Sequence, residues 1–205
     1  MRLGPGASAL VAALGCAALA AAAEAQTQAD EYTRYELQAP ESAQFRVVYE
    51  VTATSAGATA FYNPIRKGSE ASGEAVYDRL TGAALAFEIV GGAQARAAGY
   101  AEADADTRYI RIRLPRPVPE AGEVRLRIEK TYRDPKSYFR EEGVIVFSRP
   151  LGIRRNAVLL PAGYELVACN VPSQVLSEPD GRILVSFMNP LPVEAPLVVK
   201  ARKLP

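Results

Sequence analysis

From Gln44 onward the chain alternates. Phe45, Val47, Tyr49, Val51 and Ala53 fall on one side of a period of two, and Arg46, Glu50, Thr52 and Thr54 fall on the other. That is the signature of a half-buried strand. The pattern returns repeatedly, each time bounded by turn chemistry. Glu74–Asp78 and Ala84–Val90 flank Asp78-Arg-Leu-Thr-Gly82, where Asp opens and Gly closes a tight reversal. Arg108–Leu114 and Glu123–Tyr132 flank the proline-rich loop 115–122, and Val144–Phe147 follows. Ala157–Leu160 and Tyr164–Asn170 are joined by Pro161-Ala-Gly163, with Pro preset for a type I turn. Ser173–Ser177 and Arg182–Met188 flank Pro179-Asp-Gly181, a strong hairpin signal. A final strand runs over Pro196–Lys203. The best helical stretch, Ala93–Ala103, is interrupted by Gly99. Short strands at regular spacing predict an all-β protein: an antiparallel β-sandwich, Ig-like or related, or two small sandwiches in tandem. The polar segment 134–142 is the candidate internal boundary.

The N-terminus reads differently. Met1-Arg2 precedes an apolar run over Ala7–Ala23, and Ala23-Glu24-Ala25 supplies a small-x-small cleavage pattern. Residues 1–25 are therefore expected to be a secretory signal, with export to the periplasm or beyond. Lipidation at Cys16 after Ala13-Leu14-Gly15 is the alternative, as is an uncleaved anchor. Residues 26–41 are polar and read as a leader, with at most a short edge strand at Tyr32–Leu37, ahead of a sandwich domain over 42–205. Some 180 residues can bury about 70% of their unfolded surface and need no disulfide. None forms within the mature chain: once Cys16 has left with the signal, Cys169 is alone, and it is expected to be an inert, buried thiol.

Charge narrows the partners. Twenty-four basic and 23 acidic residues leave a net charge of +1, which offers nucleic acid no general field. The absence of histidine removes Ser-His-Asp and Cys-His catalysis and every His-based zinc site. Gly91-Gly92 has no Lys-Ser/Thr after it, so no phosphate cradle is indicated. No cofactor is expected. A hydrolase using paired carboxylates, with or without a metal, is the enzymatic alternative.

Two constellations remain. Glu102, Asp104 and Asp106 alternate on a loop and resemble a Ca²⁺ ligand set, although Thr107 stands where such a loop needs glycine. Read as a hairpin, 108–114 and 123–132 pair Ile112 with Leu126. That pairing sets Arg113 opposite Arg125 and Arg111 opposite Arg127. Like charges so placed are destabilising. They need acidic neighbours on adjacent strands, or else they form a docking face for an acidic protein or anionic envelope component. Ten tyrosines and no tryptophan argue against a carbohydrate-stacking platform, and Tyr49 and Tyr164 are expected in the core.

The stretch from Leu114 to Arg133, a proline-rich loop followed by Glu-Val-Arg-Leu-Arg-Ile-Glu-Lys-Thr-Tyr, resembles a strand pair in the N-terminal β-domain of aminopeptidase-N-type metallopeptidases. Asn156-Ala-Val-Leu-Leu-Pro-Ala-Gly-Tyr164 is similar to their accessory β-segments. The resemblance covers about a quarter of the mature chain and implies the accessory fold. It does not imply the peptidase, because that family's zinc motif needs two histidines. The expected role is a non-catalytic, exported binding or accessory module.

Overall fold

The computed structural model describes residues 25–205. Residues 1–24, which hold most of the expected signal and Cys16, lie outside the described residues. Three sheets build the fold. The largest has seven strands in the order β12 (Gln174–Ser177), β13 (Ile183–Met188), β10 (Arg155–Leu159), β1 (Gln28–Leu37), β2 (Gln44–Ala53), β7 (Val124–Arg133) and β4 (Glu70–Asp78). Two smaller sheets pack on it. One is β3 (Ala60–Ile65), β6 (Arg108–Arg113) and β5 (Phe87–Gly91). The other is β11 (Tyr164–Cys169), β14 (Ala195–Lys203), β9 (Val144–Leu151) and β8 (Tyr138–Glu141). All pairings are antiparallel except β1 with β10. The all-β sandwich expectation holds, with a mixed large sheet.

Strand register explains where the core sits. Tyr35 pairs with Val47, Tyr49 with Ile128 and Val51 with Leu126, so paired side chains share one face of the large sheet. Those residues join Phe61, Ile110 and Ile112 of one small sheet and Tyr138, Phe147 and Leu197 of the other in a single apolar cluster. Phe45 is fully buried at its centre, with ring centroids of Tyr35, Tyr132 and Phe147 at 6.1, 6.0 and 5.2 Å. Edge-to-face contacts of this kind add about 0.5–1.5 kcal/mol each beyond burial.

Several expectations are corrected. Residues 26–41 are not a leader. β1 lies inside the large sheet between β10 and β2, held there by buried Thr33, Tyr35 and Leu37. The segment 134–142 is not a boundary either. Asp134, Ser137 and Tyr138 are buried, and the cluster draws on strands before and after them. The expected hairpin of 108–114 with 123–132 does not form, because β6 and β7 belong to different sheets. Pro161-Ala-Gly163 likewise carries the chain from β10 in the large sheet to β11 in the four-stranded one. After Asp78–Gly82 the returning chain bridges Tyr77 at Ala84 and then crosses into β5. The turn at 179–181 does close a hairpin, with Gly181 at φ +80°. The helical expectation shortens to α1 (Gly92–Ala97). Among the described residues, no helix is long and apolar enough to cross a membrane.

Candidate functional site

Ile110 and Ile112 are fully buried against the large sheet, so alternation turns Arg111 and Arg113 outward from β6. Part of that outer surface is covered. Ala95 of α1 packs with Tyr62, Val90, Ala103 and Tyr109 in a second small core, and Tyr100 stacks on Tyr62 at 4.9 Å. Gly92 makes that cover possible, since a Cβ there would meet the Asp104 carbonyl oxygen at 1.9 Å. Beside it lies an open groove of about 660 Å³. Its flanks are low because Ala60, the register partner of Arg113, and Ala86, whose carbonyl accepts the Arg113 N–H at 2.9 Å, are small. Pro115, Pro117 and the partly exposed Phe87 add apolar walls.

The proline-rich loop brings a third arginine to the groove. Buried Val118 exchanges backbone hydrogen bonds with Ala58 and Gly57, at 3.0 and 2.8 Å. That anchor places Arg116 beside Arg111 and Arg113. Glu88 pairs with Arg111 and, together with the Tyr62 hydroxyl, raises its already high pKa. Arg113 and Arg116 make no salt bridge among the described residues. Among the described residues Arg116 donates only to the Glu123 carbonyl, at 3.3 Å.

Arg125 and Arg127 lie elsewhere. Val124, Leu126 and Ile128 face the core from the large sheet, so these arginines project from its far surface. Their cross-strand partners on β2 are Thr52 and Glu50, not arginines. Arg125 pairs with Glu123 at 2.6 Å and Arg127 with Glu129 at 3.0 Å, and Arg127 also stacks 4.6 Å over the Tyr77 ring. Glu129 belongs to an alternating ribbon of charge, Glu178–Arg34–Glu36–Arg46–Glu129–Arg127, that crosses the sheet. The four arginines expected together are thus divided between two opposite surfaces. Arg116 escaped notice in the sequence because a proline-rich loop has no period to place it.

The acidic loop does not gather its carboxylates. Asp104 pairs with Lys67 at 2.9 Å and accepts the Asp106 N–H at 2.9 Å. The Lys67 ammonium and then that backbone bond lower its pKa. No cluster of three or more metal-ligating side chains occurs among the described residues. Cys169 is half-buried at the end of β11 and forms no disulfide among the described residues.

The buried ion pair is Arg149–Asp134, at 2.9 Å. Asp134 also accepts from Ser137 at 2.7 Å and Ser69 at 3.2 Å. Burial raises its carboxyl, but the Ser137 hydroxyl and the Arg149 guanidinium outweigh that effect and hold it below the usual range.

No protein-family model and no curated protein matches this chain. Its shape does find counterparts. It aligns with an M1 zinc metallopeptidase from Deinococcus radiodurans at TM-score 0.51 and 12% identity, covering 84% of this chain and 41% of the other. A variant of that enzyme bound to a Tyr-Ser-Ala substrate gives TM-score 0.50 and 14% identity, with the same coverage. An aminopeptidase N family protein from Idiomarina loihiensis gives TM-score 0.50 and 10% identity, covering 84% of this chain and 29% of the other. The chain spans less than half the length of each. At such identities the likeness is one of fold, and it bears out the resemblance carried by residues 114–133 and 156–164. This chain has the fold of part of an aminopeptidase-N-type metallopeptidase and none of the histidines of that family's zinc motif.

Proposed function

We propose that this chain is a non-catalytic accessory module of the cell envelope that docks an acidic protein segment in the groove over β6. The carrying observation is the pairing state of its arginines. Arg113 and Arg116 line the groove without a carboxylate partner among the described residues, whereas Arg125 and Arg127 on the far surface are neutralised. Guanidinium groups on low, small-residue flanks suit the carboxylates of an extended peptide. Phe87, Pro115 and Pro117 suit the apolar side chains between them. The fold supports an accessory role, and the signal pattern at residues 1–25 supports export.

Two measurements test this reading. A glutamate-rich peptide carrying occasional apolar residues should bind the protein and shift NMR signals of residues 111–117. The interaction should weaken from low to physiological salt, because exposed charges there are screened beyond about 8 Å. Shifts confined to other surfaces, or no binding at low salt, would refute the groove. N-terminal sequencing of the exported protein should begin at Gln26. A lipid-bearing Cys16, or an intact Met1, would contradict the export route.

A further inference from the structure

A second site lies inside the sandwich, on the opposite side of the three-stranded sheet from the groove. Where the two small sheets part above the large one, a cavity of about 380 Å³ opens. Lys130 of β7 is one wall and is buried at 5% exposure. Its ammonium donates to Asn63 Oδ1 at 2.6 Å and to the Pro64 carbonyl at 3.1 Å, both neutral acceptors. Arg149 of β9, 3% exposed, uses Nη1 to bind Asp134, and its buried Nε has no partner. Both cations sit around one ring, each 5.3 Å from the Tyr132 centroid. Arg66, on the same lining, donates to the Pro150 carbonyl at 3.0 Å and makes no salt bridge among the described residues.

Charge in this cavity is poorly paired. Of the three cations, only Arg149 has a carboxylate within ion-pair distance among the described residues. Glu31 and Glu194 also line the cavity, but Glu31 bonds the Tyr49 hydroxyl and Gln28, Glu194 stands exposed at the mouth, and neither lies within ion-pair distance of a cation among the described residues. Buried charge is ordinarily paired, because desolvating an unpaired ion costs several kcal/mol. Desolvation accordingly lowers the pKa of both Lys130 and Arg149. A further polar group is left over. The Thr33 hydroxyl lines the cavity beside the Tyr35 hydroxyl, is 1% exposed and has no partner of full hydrogen-bond geometry among the described residues. The rest of the lining includes apolar Val47, Leu151 and Ile153.

We propose that this cavity binds a small organic monocarboxylate, received by Lys130, Arg149 Nε and the Thr33 hydroxyl, with its apolar body against Val47, Leu151 and Ile153. The carboxylate supplies the ion-pair partner that buried Lys130 lacks among the described residues and satisfies the two leftover polar groups. Inorganic phosphate has no apolar body to bury, and Glu194 at the mouth disfavours multiply charged anions.

Butyrate is a suitable probe. Titrated into the full chain, it should give saturable NMR shifts at the Thr33 methyl and the Lys130 ε-methylene. Butyramide should give none, and inorganic phosphate should bind at least about tenfold more weakly. Thr33→Val removes a hydroxyl that has no partner of full hydrogen-bond geometry among the described residues, so thermal stability should be retained while butyrate affinity falls about tenfold. The Arg113→Gln/Arg116→Gln variant should bind butyrate as the unaltered protein does, which separates this site from the groove. The proposal is overturned if butyrate does not saturate, if butyramide or phosphate binds equally well, or if Thr33→Val binds butyrate unchanged. Lost stability in Thr33→Val would also overturn it, by assigning the hydroxyl to the fold.

Discussion

The two outer surfaces of this sandwich are built from the same alternation and the same residue type, yet they differ in what their arginines have left to offer. On the large sheet each arginine of the ribbon from Arg34 to Arg127 meets a glutamate, and Glu36 and Glu129 each serve two guanidinium groups. On the three-stranded sheet only Arg111 is answered among the described residues, by Glu88. A count of charges cannot separate these surfaces, since the protein as a whole is nearly neutral. Neighbours on adjacent strands do separate them. Seven strands side by side offer partners in both directions, whereas the groove over β6 is flanked by Ala60 and Ala86.

The interior pair sets the upper end of the energetic scale against which both surfaces are measured. Asp134→Asn keeps the size of the side chain but leaves the Arg149 guanidinium buried without its counter-charge. A loss of about 3 kcal/mol is expected in urea unfolding at neutral pH. The pH dependence has a definite sign. The folded carboxyl titrates below its ordinary value of 3.8, so its stabilisation is complete above that value and is lost as pH falls through the folded one. The gap between parent and variant should therefore close in acid. A gap that persists there would mean that hydrogen-bond geometry, not charge, accounts for the loss.

A smaller effect is expected at the ribbon. Glu129 has a side-chain exposure of 13% and bonds both Arg46 and Arg127, so Glu129→Gln should cost about 1 kcal/mol, the upper range for surface pairs. No measurable loss would mean that solvent already screens the ribbon, and the two surfaces would then differ less than their geometry suggests.

The smallest stability effect belongs to the groove. Arg113→Gln and Arg116→Gln break no salt bridge among the described residues, and each should leave stability within about 0.5 kcal/mol. A larger loss in thermal unfolding would show that these side chains serve the fold.

The sequence was legible where a period of two spoke for itself. The buried positions of β2, β6 and β7 follow directly from alternation, and so does the outward aim of all four arginines. Which strands lie side by side did not follow. Ile112 and Leu126 satisfy a shared core equally well as neighbours in one sheet or across the roughly 10 Å between two packed sheets, and here they lie across it. β1 was obscured by its own outward face, where Arg34 and Glu36 feed the ribbon and make a central strand read as a polar leader. Asp134 misled for a related reason: a buried, fully bonded carboxylate has the same letter as a solvated one. The cavity was invisible to the sequence, because Thr33, Lys130 and Arg149 meet only through three different strands.

One comparison of affinities tests the central claim most directly. Binding of the glutamate-rich peptide is measured for the parent, for Arg113→Gln/Arg116→Gln and for Arg125→Gln/Arg127→Gln, at low and at physiological salt. The unpaired groove arginines predict that the first variant loses about tenfold or more at low salt, while the second stays near the parent. Equal losses in both variants, or a loss confined to Arg125 and Arg127, would contradict the account.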